Sequence, residues 1–401
     1  MSINLEFHAF AGNPQSSKFS FSGDTLSPSA ALKTLNARIT LNNADSSPSP
    51  SFKVLAFRNG RPLASSAAGS GDSPPIWRLG WLGLDDLRGI LDNSRSGAEL
   101  SVDSLVYLSS SAENDAVYWA IDVSDEAPEL GYKDMGLCFV ELRTLMVATD
   151  WSDSQAMGNL AIAGQAKALL EWHNVSRFCG RCGEKTVLME GGRRKQCSND
   201  SCKQRIYPRV DPVVIMLVID RENDRALLAK RSMPMPRLYT CLSGFMEPGE
   251  SLEEAVRRET WEETGIEVGD IVYHSSQPWP VVPNGIPCQL MVGFFAYAKS
   301  LEITLDKKEL EDAQWYSRED VRKTLTFAKY KQAQRNAAAK VEQMCEGLGK
   351  NPSFASDLNV ESADEHAPIV VPGPFAIAHH LIYSWAFSDH NVVNGVECNS
   401  K

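Results

Sequence analysis

The chain has 401 residues, 43% of them hydrophobic and 23% charged, which leaves room for two or three domains that each bury a core. A formal net charge of −11 argues against a general affinity for nucleic-acid backbones or anionic membranes, though not against a local phosphate pocket. No run of about 18 apolar residues occurs, so no segment is expected to span a membrane.

The N-terminal stretch 14–30 is Ser-rich but poor in Arg, with Glu6 before it, and reads only as a weak targeting signal. Residues 1–150 read as an N-terminal α+β domain. Val54 to Phe57, Leu105 to Leu108 and Val117 to Val123 are its expected strands, and Ala64 to Pro75 is expected to be loop. No catalytic constellation is visible there, so a structural or dimerising role is the expectation.

From Asp153 to His173 apolar residues recur at helical intervals, which predicts a linking helix within 151–176. It leads to Cys179, Cys182, Cys197 and Cys202, spaced Cys-x2-Cys-x14-Cys-x4-Cys within 177–206. Two close thiolate pairs suit tetrahedral Zn²⁺, and four cysteines leave no open position, so the site is read as structural. A pair of disulfides or a nucleic-acid-binding ribbon are the competing readings. Arg193, Arg194 and Lys195 would suit the ribbon reading but are commonly just a solvated hairpin tip. Cys138, Cys241, Cys288, Cys345 and Cys398 are scattered and read as buried small hydrophobes.

The next domain is expected at 207–345. Val213 to Ile219 is a near-continuous apolar run that predicts a buried strand, and Arg225 to Lys230 completes a hairpin. A helix follows from about Ser251 to Thr264, stopped by Gly265, with an apolar stripe of Leu252, Ala255 and Val256. Glu259, Glu262 and Glu263 share one face of it. Such a cluster is either solvated or held together by a hard divalent ion that takes oxygen ligands. Val268 to Ser276 and Leu290 to Ala298 are further strands. Ser276-Gln-Pro-Trp-Pro280 reads as a stiff loop presenting Trp279 to a planar ring, with Gln277 free to bond an amide or sugar. Filling a core gap is the alternative use of that Trp. Residues 346–368 read as a flexible insertion, and 369–401 as a final helix, Ala376 to Phe387, with a tail.

The window Gly244, Glu250, Arg258, Glu259, Glu262, Glu263, Gly265, Ile266 matches the spacing Gly-x5-Glu-x7-Arg-Glu-U-x-Glu-Glu-x-Gly-U, with Thr260 where an aliphatic is usual. It resembles the signature of the Nudix hydrolases. The cysteine quartet, Tyr207-Pro-Arg and Ser276-Gln-Pro-Trp-Pro resemble the NADH pyrophosphatase (NudC-like) branch, and the longer Pro-Trp-Pro-Val-Val-Pro form its plant members. The likeness covers about residues 140–385. It implies an α/β fold: a Nudix α/β/α sandwich with a mixed sheet, preceded by a zinc ribbon. It also implies hydrolysis of the diphosphate of NADH or NADPH, with removal of NAD caps from RNA 5′ ends, or hydrolysis of another nucleoside diphosphate derivative, as alternatives. Mg²⁺ or Mn²⁺ would be held by Glu259, Glu263, Glu309 and the Ser243 carbonyl. Glu262 would lie in or beside this set, and Arg258 would orient a carboxylate. Tyr207, Gln289 and Ala378 would join Gln277 and Trp279 near the substrate. A homodimer and a chloroplast location are further expectations, with cytoplasm or peroxisome as alternative places. Val281 stands where an aromatic is often found, a departure from the family pattern at one pocket wall.

Overall fold

The computed structural model describes residues 8–14, 26–40, 50–69, 73–92, 104–111, 115–124, 132, 134–231, 237–283, 285–325, 327–347 and 369–388. All but the first two residues of the expected insertion at 346–368, most of the Ser-rich stretch and the tail with Cys398 lie outside the described residues.

The N-terminal part holds α1 (Pro28–Thr40), β1 (Ser51–Arg58), β2 (Arg61–Ala67), β3 (Ile76–Leu79), β4 (Trp81–Leu82), α2 (Leu84–Asp92), β5 (Leu105–Ser111), β6 (Ala116–Asp122), β7 (Leu137–Phe139) and α3 (Leu142–Ala148). The three expected strands are present. The loop expected from Ala64 is not: β2 continues to Ala67, paired with β3 from Ala64↔Leu79 to Ala67↔Ile76. Pairing partners override the weak strand preference of Ala and Ser there.

Helix α4 (Ser154–Val175) is capped by Asp153, whose Oδ1 accepts from the amides of Gln155 and Ala156. The ribbon follows as β8 (Thr186–Met189), β9 (Arg194–Cys197) and β10 (Arg205–Ile206). The last part comprises β11 (Val210–Asp220), β12 (Arg225–Lys230), β13 (Leu242–Phe245), α5 (Leu252–Thr264), β14 (Val268–Trp279), β15 (Cys288–Ala298), β16 (Asp312–Ser317), α6 (Arg318–Thr324), α7 (Phe327–Cys345) and α8 (Ile377–Phe387).

The two large sheets are paired alike. In the second, β11 is antiparallel to β12 and β13 and parallel to β15, with β14 beyond β15 and β16 beyond β12. In the first, β1 is antiparallel to β2 and β4 and parallel to β6, with β5 beyond β6 and β7 beyond β2. Each has a helix directly after the short strand, α2 in one and α5 in the other. Only α5 carries the glutamate face; α2 reads Leu-Asp-Asp-Leu-Arg-Gly-Ile-Leu-Asp.

The boundaries drawn from the sequence cut through one core. Leu160, Ile162 and Ala166 of α4 pack with Leu55, Leu63 and Trp119 of the first sheet, and so do Ala337, Val341 and Met344 of α7. The linking helix and the last long helix of the hydrolase part thus complete the N-terminal core. The second sheet has a cluster on each face, one under α5 and one under α8.

Candidate active site

The glutamate helix is fixed at both ends. Ser251 and Glu254 form a reciprocal capping box, and Gly265 closes the helix in the left-handed region at φ 68°. A Cβ at Gly265 would also meet Thr304 at 2.9 Å, so glycine is needed twice over. Ala255 and Val256 are buried against the sheet. Thr260, at the aliphatic position, is buried too, and its hydroxyl donates to the Val256 carbonyl at 2.7 Å, so it brings no unmet donor into the core.

Strand β13 brings the Ser243 carbonyl to this helix. The approach is so close that a Cβ on Gly244 would lie 1.8 Å from the Glu259 carboxyl carbon. Arg258 organises the acids: its Nε and Nη2 clamp Glu250 at 3.0 and 2.7 Å, while Nη1 reaches Glu259 at 2.8 Å and Glu262 at 2.9 Å. Nη2 also donates to the Phe245 carbonyl at 2.8 Å. Glu262 is the most exposed acid of this set, whereas Glu263 is fully buried.

Burial pushes the Glu263 carboxyl up to about 7, with Glu259 and Glu309 adding to the rise and Arg231 opposing it. Burial likewise raises Glu259. Glu309 is exposed, on the turn after Asp306, and is close enough to raise both. Asp306 N donates to the Glu263 carbonyl, which ties that turn to the helix end. One oxygen of Glu263, Oε2, is buried without a hydrogen-bond partner. The donors present are a carbonyl and carboxylates, hard oxygens that suit a divalent cation, and the orphaned Oε2 is where such an ion would satisfy the helix. Ser243, Glu259, Glu263 and Glu309 would hold it.

The ribbon places all four cysteine sulfurs within 4.8 Å of one another, with Cys179–Cys202 at 3.9 Å and Cys182–Cys197 at 3.4 Å. That spacing suits the corners of a tetrahedron around Zn²⁺ at about 2.3 Å. It is the one compact ligand group of this kind among the described residues. The basic trio beside it is not a solvated tip. Lys195 is buried and donates to the carbonyls of His173 and Ser176 at the end of α4, Arg193 reaches the Leu108 carbonyl, and Arg194 pairs with Glu190. The Gly191 carbonyl accepts from Tyr107 N at 2.7 Å, so the tip is docked on β5.

The expected substrate residues fare differently. Gln277 is fully buried and its amide is consumed: Oε1 accepts from Ile377 N at 2.8 Å, and Nε2 donates to the carbonyls of Phe375 and Ala9. It caps helix α8, whose own N-cap, Ala376, has no side-chain acceptor. The expectation that Gln277 is free for substrate is therefore corrected. Trp279 is not in a loop but ends edge strand β14, where proline is tolerated. Its half-buried indole lies nearly perpendicular to the Phe10 ring, with ring centres 6.2 Å apart, and the Arg143 guanidinium is 5.8 Å from the indole's ring centre. In register with it across the sheet stand Gln289 and Asp211. Tyr207 is exposed beneath Arg194. Ala378 is buried in the first turn of α8, its carbonyl facing the Cys241 thiol.

One residue at the site escaped the reading of the sequence, and another was named in it without its role. Glu250 was visible in the spacing, eight positions before Arg258, but its clamp was not. Arg231, just beyond β12, donates to both the Ser243 carbonyl and Glu263 Oε1, and nothing in its local pattern marks it.

Three family models match successive parts of the chain. The NUDIX domain matches residues 210–337, the NADH pyrophosphatase zinc ribbon domain 176–207, and the NADH pyrophosphatase-like rudimentary NUDIX domain 52–172. The chain belongs to the Nudix hydrolases, in the group that carries the NADH pyrophosphatase zinc ribbon. Nudix hydrolase 19, chloroplastic, of Arabidopsis thaliana is 61% identical over 96% of this chain and 87% of that protein. The mitochondrial NAD(P)H pyrophosphatase NUDT13 of Mus musculus is 36% identical over 63% of this chain and 60% of its own. NAD-capped RNA hydrolase NUDT12 of Macaca fascicularis is 45% identical over 42% and 37%. The rudimentary domain coincides with the first of the two alike sheets. No helix among the described residues is long and apolar enough to cross a membrane.

Proposed function

We propose that this chain hydrolyses the central diphosphate of NADH or NADPH, giving reduced nicotinamide mononucleotide and AMP or 2′,5′-ADP, with Mg²⁺ or Mn²⁺ at the oxygen cradle. The observation that carries this reading is the buried, orphaned oxygen of Glu263 beside the Ser243 carbonyl, in a chain that also has the zinc ribbon. When bound, the ion would neutralise the diphosphate and acidify an attacking water. The protein's own part is positional. Arg258 holds Glu259 and Glu262 in place, and the exposed Glu309 would serve as further ligand or base. Along β11 the row Asp211–Gln289–Trp279 lies four residues from the row of Ser243 and Ile215, about 13 Å at 3.3 Å per residue. That separation suits a dinucleotide whose ring stacks near Trp279, with Tyr207 and Ala378 as further contacts, while its diphosphate reaches the acids.

Incubation with NADH, NADPH, NAD⁺, FAD and ADP-ribose in Mg²⁺ or Mn²⁺, followed by chromatography, tests the reading. Cleavage of NADH or NADPH to the two mononucleotides is expected, with Glu263→Gln inactive. A substrate preference that leaves both reduced dinucleotides intact overturns it.

Removal of NAD caps from RNA is the second reading, favoured by relatives that carry that name. It breaks the same bond, and a capped transcript in the same assay decides it. The chloroplast as location rests on the name of the Arabidopsis relative, and a homodimer on family resemblance alone.

A further inference from the structure

Arg231 Nη2 donates to two oxygens at once, the Ser243 carbonyl and Glu263 Oε1, each at 2.5 Å. Both belong to the cradle described above. The two arginines of the site are built differently. Arg258 spends its fork on both oxygens of Glu250 and is largely enclosed, with 22% of its side chain exposed. Arg231 has 38% of its side chain exposed, reaches in from the end of β12, touches Glu263 through one nitrogen, and leaves Oε2 unsatisfied. A permanent partner for a buried carboxylate would be expected to engage both oxygens.

We propose that Arg231 is a surrogate cation. It fills the gap between Ser243 and Glu263 when the divalent ion is absent, competes with the ion for those oxygens, and turns outward to the substrate diphosphate once the ion is bound. This rests on the metal-dependent reading above. A buried carboxylate without a counter-charge is strongly destabilising, so an internal cation keeps the empty site folded. The same contact lowers apparent ion affinity in proportion to the fraction of molecules in which Arg231 blocks the cradle. Released, a half-exposed guanidinium beside the acids matches the geometry of phosphate oxygens.

The test uses Mn²⁺ alone, titrated into the full zinc-loaded chain without substrate and followed by electron paramagnetic resonance, together with thermal melts. Arg231→Met is expected to bind Mn²⁺ about fivefold tighter or more than the wild type. Its melting point without Mn²⁺ should fall, and Mn²⁺ should restore most of the loss. Unchanged or weaker Mn²⁺ binding overturns the inference, because an arginine that merely props the ligands would give that result. Should Arg231→Met not fold without the ion, Arg231→Gln, which keeps a donor but no charge, is read the same way. A wild type that binds no Mn²⁺ overturns the metal-dependent reading and the inference together, whereas equal binding by wild type and variant overturns the inference alone.

Discussion

Arg258 grips Glu250 across eight residues of sequence, with two arms of its guanidinium on the two carboxylate oxygens at 3.0 and 2.7 Å. The remaining nitrogen is then aimed at Glu259 and Glu262. Glu250 holds the arginine, and the arginine holds the acids that would face the ion.

Arg258→Lys keeps the charge and loses the fork. Hydrolysis is expected to fall by about 10- to 100-fold, the range seen when partners of metal ligands are removed, while the circular dichroism spectrum stays unchanged. Steady-state rates on NADH at saturating Mg²⁺ check this.

Gly244→Ala places a methyl group where the Glu259 carboxylate lies. Either β13 or the carboxylate must shift by more than an ångström, so turnover should drop by about 100-fold. The same assay serves, with a melt to show that the fold is retained.

Cys202→Ser removes one corner of the sulfur tetrahedron. Bound zinc, measured by atomic absorption, should fall from about one per chain towards none. Because the ribbon tip is docked through Gly191 on Tyr107 and through Lys195 on the end of α4, the loss should reach the N-terminal sheet and lower the melting point by at least about 5 °C.

His8, His274, His379 and His380 lie together, with His8 and His380 rings 4.5 Å apart. Burial pushes His8 and His379 down to about 4 and His380 to about 3, and it lowers His274 as well. The unfolded chain therefore takes up protons near 6.5 that the folded one refuses. Stability is fully present above 6.5 and is lost as the pH falls towards 4. For His379 alone the loss is on the order of 3 kcal/mol. Melting curves at stepped pH should show it, and His379→Gln should flatten the slope.

Much of the catalytic helix was legible because its determinants are local. The start near Ser251, the stop at Gly265 and the acid spacing all lie within one short window. The cysteine quartet was legible for the same reason. The use of Gln277 was not, since its partners are Ala9 and Ile377, the first 268 residues away in sequence. Trp279 was misplaced because prolines on both sides normally mark a loop, whereas an unpaired edge accepts them. The duplicated sheet was hidden for a different reason: strand pairing survives when sequence does not, and α2 has none of the acids that make α5 recognisable.

Helix α7 contributes Ala337, Val341 and Met344 to the core of the first sheet although it follows the catalytic part in the chain. During synthesis the N-terminal half therefore waits with an open apolar face until some 345 residues have been made. The half that emerges first thus stays incomplete while most of the second is made, and an apolar face left open in that interval is exposed to aggregation.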